Sequence, residues 1–347
     1  MKKILHIIGT RPQYIKSSIL IKKISKNKRF KNIIIDTFQH FDENMSDIFL
    51  KEFKMTTSVT KLKINKNVSR ITRLSRMIKL LGEYQKKINP HIGIIYGDTD
   101  TTLAGAISLK KNGIKIMHIE SGLRSYDSDM PEEQNRIVAD QLSDYLIVPT
   151  KIAVKNLLKE NFKKRKIFMF GDTMYDLALE TSKKLKIQKN KEYVLMTIHR
   201  DINITKERLT KIIKGLSNIN HKIIWPIHPK LKKILNIQKI KIPKNIRIIE
   251  PISYKKNLSL IKNANFIITD SGGMQKESYF LGKYSFILRK ETEWQEIVND
   301  KKSFIIDCEI NKIKKYKVYN KKFIPKKFLF GNGNASKKII NLLKKIK

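Results

Sequence analysis

A single cysteine, Cys308, stands in 347 residues. One thiol makes no intrachain disulfide and no thiolate metal cluster, so a reducing cytoplasm is the expected setting. Long apolar runs are missing too. None reaches the roughly 18 residues that cross a bilayer, which argues against membrane insertion. The first twelve residues, with two lysines before an apolar stretch, have the outline of a secretion signal. The apolar run is short, is broken by His6 and closes at Gly9 and Arg11, so a buried first strand is the better reading. Pro- or Ser-rich linkers and short-period repeats are also lacking. Apolar residues, at 41%, suffice for two cores and exclude wholesale disorder.

Acidic side chains are scarce, 31 against 73 basic, for a net charge of +42. An excess of that size is the mark of many nucleic-acid or membrane-surface proteins. Two features point away from that reading. Only 12 of the basic residues are arginine, and the abundant Lys, Asn and Ile share A/T-rich codons, so base composition accounts for the excess. The lysines are also dispersed over helix faces rather than gathered in a stripe. Residues 90–149 run against the drift, with nine acidic and five basic side chains. A segment that escapes so strong a bias carries chemistry that lysine does not supply.

Short apolar runs alternate with amphipathic ones. The first half offers strands at Ile4–Ile8, Ile33–Thr37, Ile92–Tyr96, Lys115–His118, Tyr145–Val148 and Ile167–Phe170. The second offers Tyr193–Thr197, Lys222–Trp225, Ile246–Ile249, Phe266–Thr269, Ser285–Leu288 and Phe304–Ile306. Helical patterns fill most gaps, among them Arg70–Lys87, Thr101–Lys111, Thr205–Ser217 and Asn334–Ile346. The alternation predicts an α/β fold with parallel sheets covered by helices. Two doubly wound domains are expected, 1–170 and 171–332, joined just after Phe170. Open α/β sheets bind ligands at the carboxyl ends of their strands, so the motifs at those ends matter most.

After the first strand comes Gly9-Thr10-Arg11-Pro12. Glycine permits the tight turn, Pro12 suits a first helical turn, and Arg11 can fork onto an anion held at the helix start. After the third strand comes Tyr96-Gly97-Asp98-Thr99-Asp100, where Asp98 is placed to act on a ligand and Asp100 to cap the next helix. Glu120 ends another strand, followed by Arg124. Glu132 and Glu133 open a helix whose dipole favours carboxylates, and Arg136 follows them. Three carboxylates and two arginines converging from separate loops suit acid–base work. His118 reads as a half-buried strand residue rather than a catalyst.

In the second half, Thr197-Ile198-His199-Arg200 puts an imidazole and a cation at a strand end. Pro226-Ile227-His228-Pro229 is another strand end, where a lone histidine is more often structural. Asp270-Ser271-Gly272-Gly273 is the best phosphate candidate: two glycines let backbone approach, Ser271 offers a hydroxyl, and a helix start follows. Glu277, one turn on, is a carboxylate placed to accept hydroxyl groups of a ligand, and Arg289 ends a later strand.

The runs GTRPQYIK at 9–16, QHFDENMSDIF at 39–49, YGDTDTTLAG at 96–105, HIESGLRS at 118–125, MPEEQNR at 130–136, TIHRDIN at 197–203 and DSGGMQKESYFLG at 270–282, in this order, resemble the non-hydrolysing UDP-N-acetylglucosamine 2-epimerase family. The resemblance spans nearly the whole chain. It implies a GT-B-type fold, two Rossmann-like domains with a cleft between them, and a C-terminal helix at 333–347 that returns to the first domain. It implies Asp98, Glu120, Glu132 and His199 as catalytic groups. It implies substrate or UDP contacts from Arg11, Lys16, Arg124, Arg136, Arg200, His228, Ser271, Gly272, Gly273, Glu277 and Arg289. No metal and no cofactor is expected; the partner is a UDP-sugar, with no nucleic acid and no membrane insertion, and a homodimer is usual in the family. Where the family shows His-Arg-x-Glu-Asn, this chain has Asp201-Ile202-Asn203 after His199-Arg200, a change that touches the loop. Arg-Pro-Gln, Met-Pro-Glu-Glu and Thr292-Glu293-Trp294 are similar to a subgroup acting on UDP-2,3-diacetamido-2,3-dideoxy-glucuronate in surface polysaccharide biosynthesis. Simple UDP-N-acetylglucosamine epimerases tend to carry Arg-Pro-Glu and Thr-Glu-Arg-Pro instead. A UDP-N-acetylglucosamine 2-epimerase, a GT-B glycosyltransferase and a basic nucleic-acid-binding protein stand as alternatives.

Overall fold

Runs such as Ile92–Tyr96 have no polar face to offer water, and this one is buried at every position. Only a sheet covered by helices on both sides accommodates such strands. The computed structural model describes residues 1–39, 49–55, 59–65, 67–186, 192–227, 229–318 and 321–346. They fall into two units, Met1–Leu177 with Lys327–Lys347, and Ala178–Lys326. The division lies inside the helix Thr173–Ser182 rather than in the loop before it.

The first unit holds β1 (Lys2–Ile8), α1 (Arg11–Ser25), β2 (Phe30–Asp36), β3 (Val59–Lys61), α2 (Arg70–Ile88), β4 (Ile92–Tyr96), α3 (Asp100–Lys111), β5 (Ile116–Ile119), α4 (Pro131–Leu142), β6 (Tyr145–Val148), α5 (Lys151–Lys159), β7 (Ile167–Met169) and α6 (Thr173–Ser182), which runs on into the second unit. Its seven strands are ordered β3-β2-β1-β4-β5-β6-β7 and all pair in parallel. Helix α2 shows why the pattern folds this way. Ser69 caps it by accepting the Thr72 amide, Asn89 ends it in the left-handed conformation, and Met77, Leu81 and Gln85 bury one stripe at four-residue spacing. That stripe joins Leu5, Ile7, Ile35, Ile95 and Leu109 in the core.

The second unit holds β8 (Tyr193–Thr197), α7 (Lys206–Leu216), β9 (Lys222–Pro226), α8 (Pro229–Ile237), β10 (Ile246–Ile249), α9 (Tyr254–Asn263), β11 (Ile267–Thr269), α10 (Gly272–Phe280), β12 (Ser285–Ile287), α11 (Gln295–Asn299) and β13 (Ser303–Ile305). Its order is β10-β9-β8-β11-β12-β13, again parallel. Val194, Met196, Leu209, Trp225, Ile268 and Phe286 lie in its core. The last helix, α12 (Ala335–Lys345), belongs to the first unit. It packs on α1, and Lys23 Nζ reaches Ser336 Oγ at 2.8 Å. The Asp176 carboxylate accepts the Ala335 and Ser336 amides at 3.1 and 2.8 Å, capping α12 from another helix.

The sequence predicts six strands per domain; the first sheet has a seventh, β3. It is three residues long and sits at the sheet edge, where pairing with β2 rather than an apolar run of its own defines it. No described helix is long and apolar enough to cross a membrane.

Candidate functional site

In the first sheet the chain leaves β1 toward β2 and β3, and the later strands build outward from β4 on the other side. Crossovers diverge where that order reverses, which opens a crevice at the carboxyl ends of β1 and β4. Gly9-Thr10-Arg11 and Gly97-Asp98 follow those two strands. Asp98 is 23% exposed and ion-paired with the buried Arg136, and its carbonyl accepts Asn135 Nδ2 at 3.0 Å.

Glu120, just past β5, has a backbone φ of +70°. A non-glycine residue held there costs about 1 kcal/mol, and such positions gather at functional sites. Its amide is fixed on the Ile147 carbonyl at 3.0 Å, and its buried carboxylate meets Lys16 Nζ at 2.5 Å. Lys16, expected as a substrate contact, is thus the cation that holds Glu120. Gly97, with φ +64°, closes the group: a Cβ there would lie 2.8 Å from Lys16 Nζ. Arg11 is the first residue of α1, its guanidinium 5.3 Å from the Phe49 ring centre.

The two glutamates of α4 separate. Glu133 is buried and accepts the Ser125 and Tyr126 amides, all at 3.0 Å, and pairs with Arg136, so it anchors a loop. Glu132 is half-buried, and no side-chain hydrogen bond is found for it among the described residues; Arg70 lies close enough to feel its charge.

Three expectations change here. Arg124 does not face a ligand: its guanidinium, 1% exposed, forks onto Glu160 at 2.7 Å and reaches Asp140 at 2.8 Å. Asp100 does not cap α3, whose N-cap residue is Thr99; its carboxylate takes a fork from Arg70 at 3.0 and 2.5 Å and Asn135 Nδ2 at 3.2 Å. Burial pushes the Asp100 carboxyl up, and the bonds from Arg70 and Asn135 outweigh it, leaving the group below its ordinary range. His118 is fully rather than half buried, between Asp140 and the Gly97 carbonyl.

The second sheet reverses its order between β8 and β11. His199 and Arg200 follow the first of these strands, and Asp270 and Ser271 the second. Asp270 ties the two loops together. Its fully buried carboxylate accepts the amides of His199 and Arg200 and Asn203 Nδ2, each at 3.0 Å. Burial raises its pKa, and the bond and charge of His199 with the Arg200 and Asn203 bonds bring it below the ordinary carboxylate value. His199 itself is 43% exposed, its Nδ1 3.7 Å from Asp270. The altered loop forms a 3-10 turn, Asp201–Ile204, in which Asn203 also donates to the Leu288 carbonyl at 2.8 Å.

Ser271 caps α10: its amide donates to Thr269 Oγ1 at 3.0 Å, and its hydroxyl accepts the Met274 amide at 3.5 Å. Gly272 is pressed against Glu293 and Trp294, where a methyl group would overlap the Glu293 carboxylate. Glu293 pairs with the buried Arg289 at 2.7 Å, and Lys276 Nζ lies 4.2 Å from the Trp294 ring centre. Gly273 is the second residue of α10; Glu277 is buried on the same helix and accepts Asn257 Nδ2 at 3.0 Å. His228 and residues 40–48 lie outside the described residues.

The structure therefore gathers Lys16, Asp98, Glu120 and Arg136 with Glu132 at one crevice. It gathers His199, Arg200, Ser271, Gly272 and Gly273 through Asp270 at the other, with Arg289 joined through Glu293. Sequence reasoning named Asp270 only as the start of the phosphate turn, with no role for its carboxylate, and gave no role to Asn135 or Asp140. Asp270 ends a strand just as Asp98 does, and the same logic finds it; Asn135 and Asp140 lie within a helix and gave no signal. Among the described residues no three His, Cys, Asp or Glu side chains cluster as a metal site would require.

Residues 22–344 match the family model described as UDP-N-acetylglucosamine 2-epimerase. A UDP-N-acetylglucosamine 2-epimerase homolog of Methanococcus maripaludis is 39% identical, covering 99% of this chain and 100% of its own. The UDP-2,3-diacetamido-2,3-dideoxy-D-glucuronate 2-epimerase of Pseudomonas aeruginosa is 35% identical, with 99% and 100% covered. The crystal structure of Methanocaldococcus jannaschii UDP-GlcNAc 2-epimerase in complex with UDP-GlcNAc and UDP is 36% identical, with 99% of each chain covered and a TM-score of 0.91. The two Rossmann-like units match that GT-B-type architecture.

Proposed function

Since the chain belongs to the UDP-N-acetylglucosamine 2-epimerase family, we propose that its UDP-sugar 2-epimerase activity inverts C2 of UDP-2,3-diacetamido-2,3-dideoxy-D-glucuronate to the manno form. The observation that carries this choice is Trp294. It is buried against Gly272 and under Lys276, at a position where simple UDP-N-acetylglucosamine epimerases tend to carry arginine. An uncharged indole there leaves Arg289 and Lys276 as the cations beside the phosphate turn. The Pseudomonas aeruginosa relative named for that substrate supports the reading. The Methanocaldococcus jannaschii structure with UDP-GlcNAc favours a second one, in which UDP-N-acetylglucosamine is the substrate.

The chemistry is the same in both. The C2 proton is not beside a carbonyl, so enolisation is closed. A base takes that proton while the C1–O bond breaks and its electron pair leaves with UDP, giving a C1=C2 glycal-type alkene. A proton then reaches C2 from the opposite face, and a diphosphate oxygen re-adds at C1. The sugar carbons are assigned to Asp98, Glu120 and Glu132, with His199 assisting. Arg11, the Ser271-Gly272-Gly273 turn and Arg289 hold the departing diphosphate, the largest electrostatic demand of the reaction. Glu277 takes the ribose. In this reading Lys16 and Arg136 keep Glu120 and Asp98 in place. The product feeds surface polysaccharide assembly, and the enzyme works as a homodimer in the cytoplasm.

Proton NMR in D2O, with each nucleotide-sugar offered separately, tests the assignment. Deuterium at C2 of the diacetamido-uronate alone, with a manno product, is expected. Exchange in UDP-N-acetylglucosamine alone overturns the substrate and keeps the mechanism. Folded protein that exchanges neither overturns both.

A further inference from the structure

We propose that Gln13 is a positioning residue of the 2-epimerase reaction: with Thr102 it holds the peptide from which Asp98 leaves the sheet. The proposal rests on the reading of Asp98 as a proton-transfer group. Thr10-Arg11-Pro12-Gln13 has the spacing of a capping box, with threonine before the helix and glutamine three residues on. In a capping box the threonine hydroxyl takes the amide of the third helical residue, and the glutamine side chain reaches back to the threonine amide. Neither bond forms at α1. The Gln13 amide goes to the Thr10 carbonyl instead, at 2.9 Å. Ser69, Thr150 and Ser253, before other helices, each accept the amide three residues on.

The Gln13 side chain goes elsewhere. It is 1% exposed, and its Nε2 lies 2.9 Å from the Tyr96 carbonyl oxygen and 3.0 Å from Thr102 Oγ1. A carbonyl only accepts, so the nitrogen of the amide is the atom that faces it. Thr102, in the first turn of α3, donates its hydroxyl to the same carbonyl at 2.7 Å. Both hydrogens of Nε2 are thus used, whereas Gln13 Oε1 is buried without a partner. An unpaired buried acceptor costs stability. A side chain there for packing alone would serve better as a methionine of the same length. What Gln13 supplies is its two N–H groups, at a carbonyl 83 residues on in the chain.

That carbonyl belongs to the peptide that opens the Asp98 loop. The N–H of the same peptide unit, that of Gly97, donates to the Ile119 carbonyl at 3.0 Å. Gln13 and Thr102 on one edge and β5 on the other fix its plane. Gly97 follows at φ +64°, and Asn135 Nδ2 holds the Asp98 carbonyl at 3.0 Å. The Asp98 side chain therefore leaves a backbone held before and after it. A displacement of about 1 Å in such a group costs on the order of 100-fold in rate.

Gln13→Met keeps the length and removes both bonds, while Thr102 still satisfies the Tyr96 carbonyl. The full-length variant should unfold in urea no earlier than the parent, yet lower kcat by about 10- to 100-fold with KM little changed. A kcat equal to the parent's, or a loss confined to KM, overturns positioning. A kcat loss that comes with an earlier urea transition shows a packing role and overturns it as well. Thr102→Val should lose turnover in the same way, and Thr102→Ser, which restores the hydroxyl, should recover most of it. Should Gln13→Met fail to fold by circular dichroism, that recovery supports the hold on the carbonyl, and equal rates in the two threonine variants overturn it. Deuterium wash-in at C2 tests the link to Asp98. In an Asp98→Asn background Gln13→Met should cost no more than about 2-fold further, because the group it positions is gone. The full loss repeated in that background overturns the link and leaves the reading of Asp98 standing. Normal turnover in Asp98→Asn alone removes that reading and the proposal with it.

Discussion

Both sheets reverse their strand order once, and both place their motif-bearing loops at that reversal, yet the two ends are built from different materials. In the first unit the crevice is lined by side-chain charge: Asp98 with Arg136, Glu120 with Lys16, Glu132 near Arg70. In the second it is lined by backbone: the Ser271-Gly272-Gly273 turn at the start of α10 and the amides of His199 and Arg200 gathered on Asp270. Movable protons need titratable groups at defined places, whereas a diphosphate needs fixed dipoles and room to come close. In the proposed function one topology would serve two tasks, and the choice between them would lie in a handful of residues at the strand ends.

The comparison breaks most visibly at the carboxylates. Asp98→Asn and Glu120→Gln should each lower deuterium wash-in at C2 by about 100-fold or more. UDP affinity by calorimetry should stay near that of the parent, and a parallel fall in both would erase the division of labour. Next in size is Asp270→Asn, which leaves the amides of His199 and Arg200 facing an NH2 group. It should cost about 2 kcal/mol in urea unfolding at pH 7. Because the folded carboxyl lies below its ordinary value, this stabilisation is complete above that value and lost as the pH falls through the folded one. The gap between variant and parent should therefore close below pH 3.8. Gly272→Ala should weaken UDP binding about tenfold, ~1.4 kcal/mol, by crowding Glu293 at the turn. Unchanged affinity would show that the ligand does not approach that backbone.

The smallest effect belongs to His6. Burial lowers its pKa from 6.5 to about 4, against a weaker raising effect from Asn32. A depressed folded value means that the unfolded chain binds the proton first, so stability is full above pH 6.5 and drains toward pH 4. Between pH 7 and pH 5.5 the loss should be about 1 kcal/mol, and His6→Gln should lack it.

Much of this was legible in the sequence because the determinants are local. Ile92–Tyr96, Tyr145–Val148, Tyr193–Thr197 and Ile246–Ile249 are strands at the expected limits, since their apolar runs and flanking turns are self-contained. Strand ends then located Asp98, Glu120, His199 and Ser271. What escaped depends on partners remote in sequence. Arg124 resembles a ligand-binding arginine until Glu160, 36 residues on, closes around it. The place of His118 depends on Asp140, 22 residues away in a helix, and on a carbonyl 21 residues before it. The left-handed backbone of Glu120 left no trace in composition, because only packing holds it there.

The return of α12 has a consequence for the order of events during synthesis. The ribosome makes residues 1–177, then all of 178–326, and only afterwards the helix that Asp176 caps and α1 receives. While the second unit is being translated, the face of α1 that α12 covers and the carboxylate of Asp176 stand without their last neighbour. A nascent chain stalled anywhere before Ala335 therefore carries a first unit with an open apolar flank, the kind of surface that holding chaperones recognise.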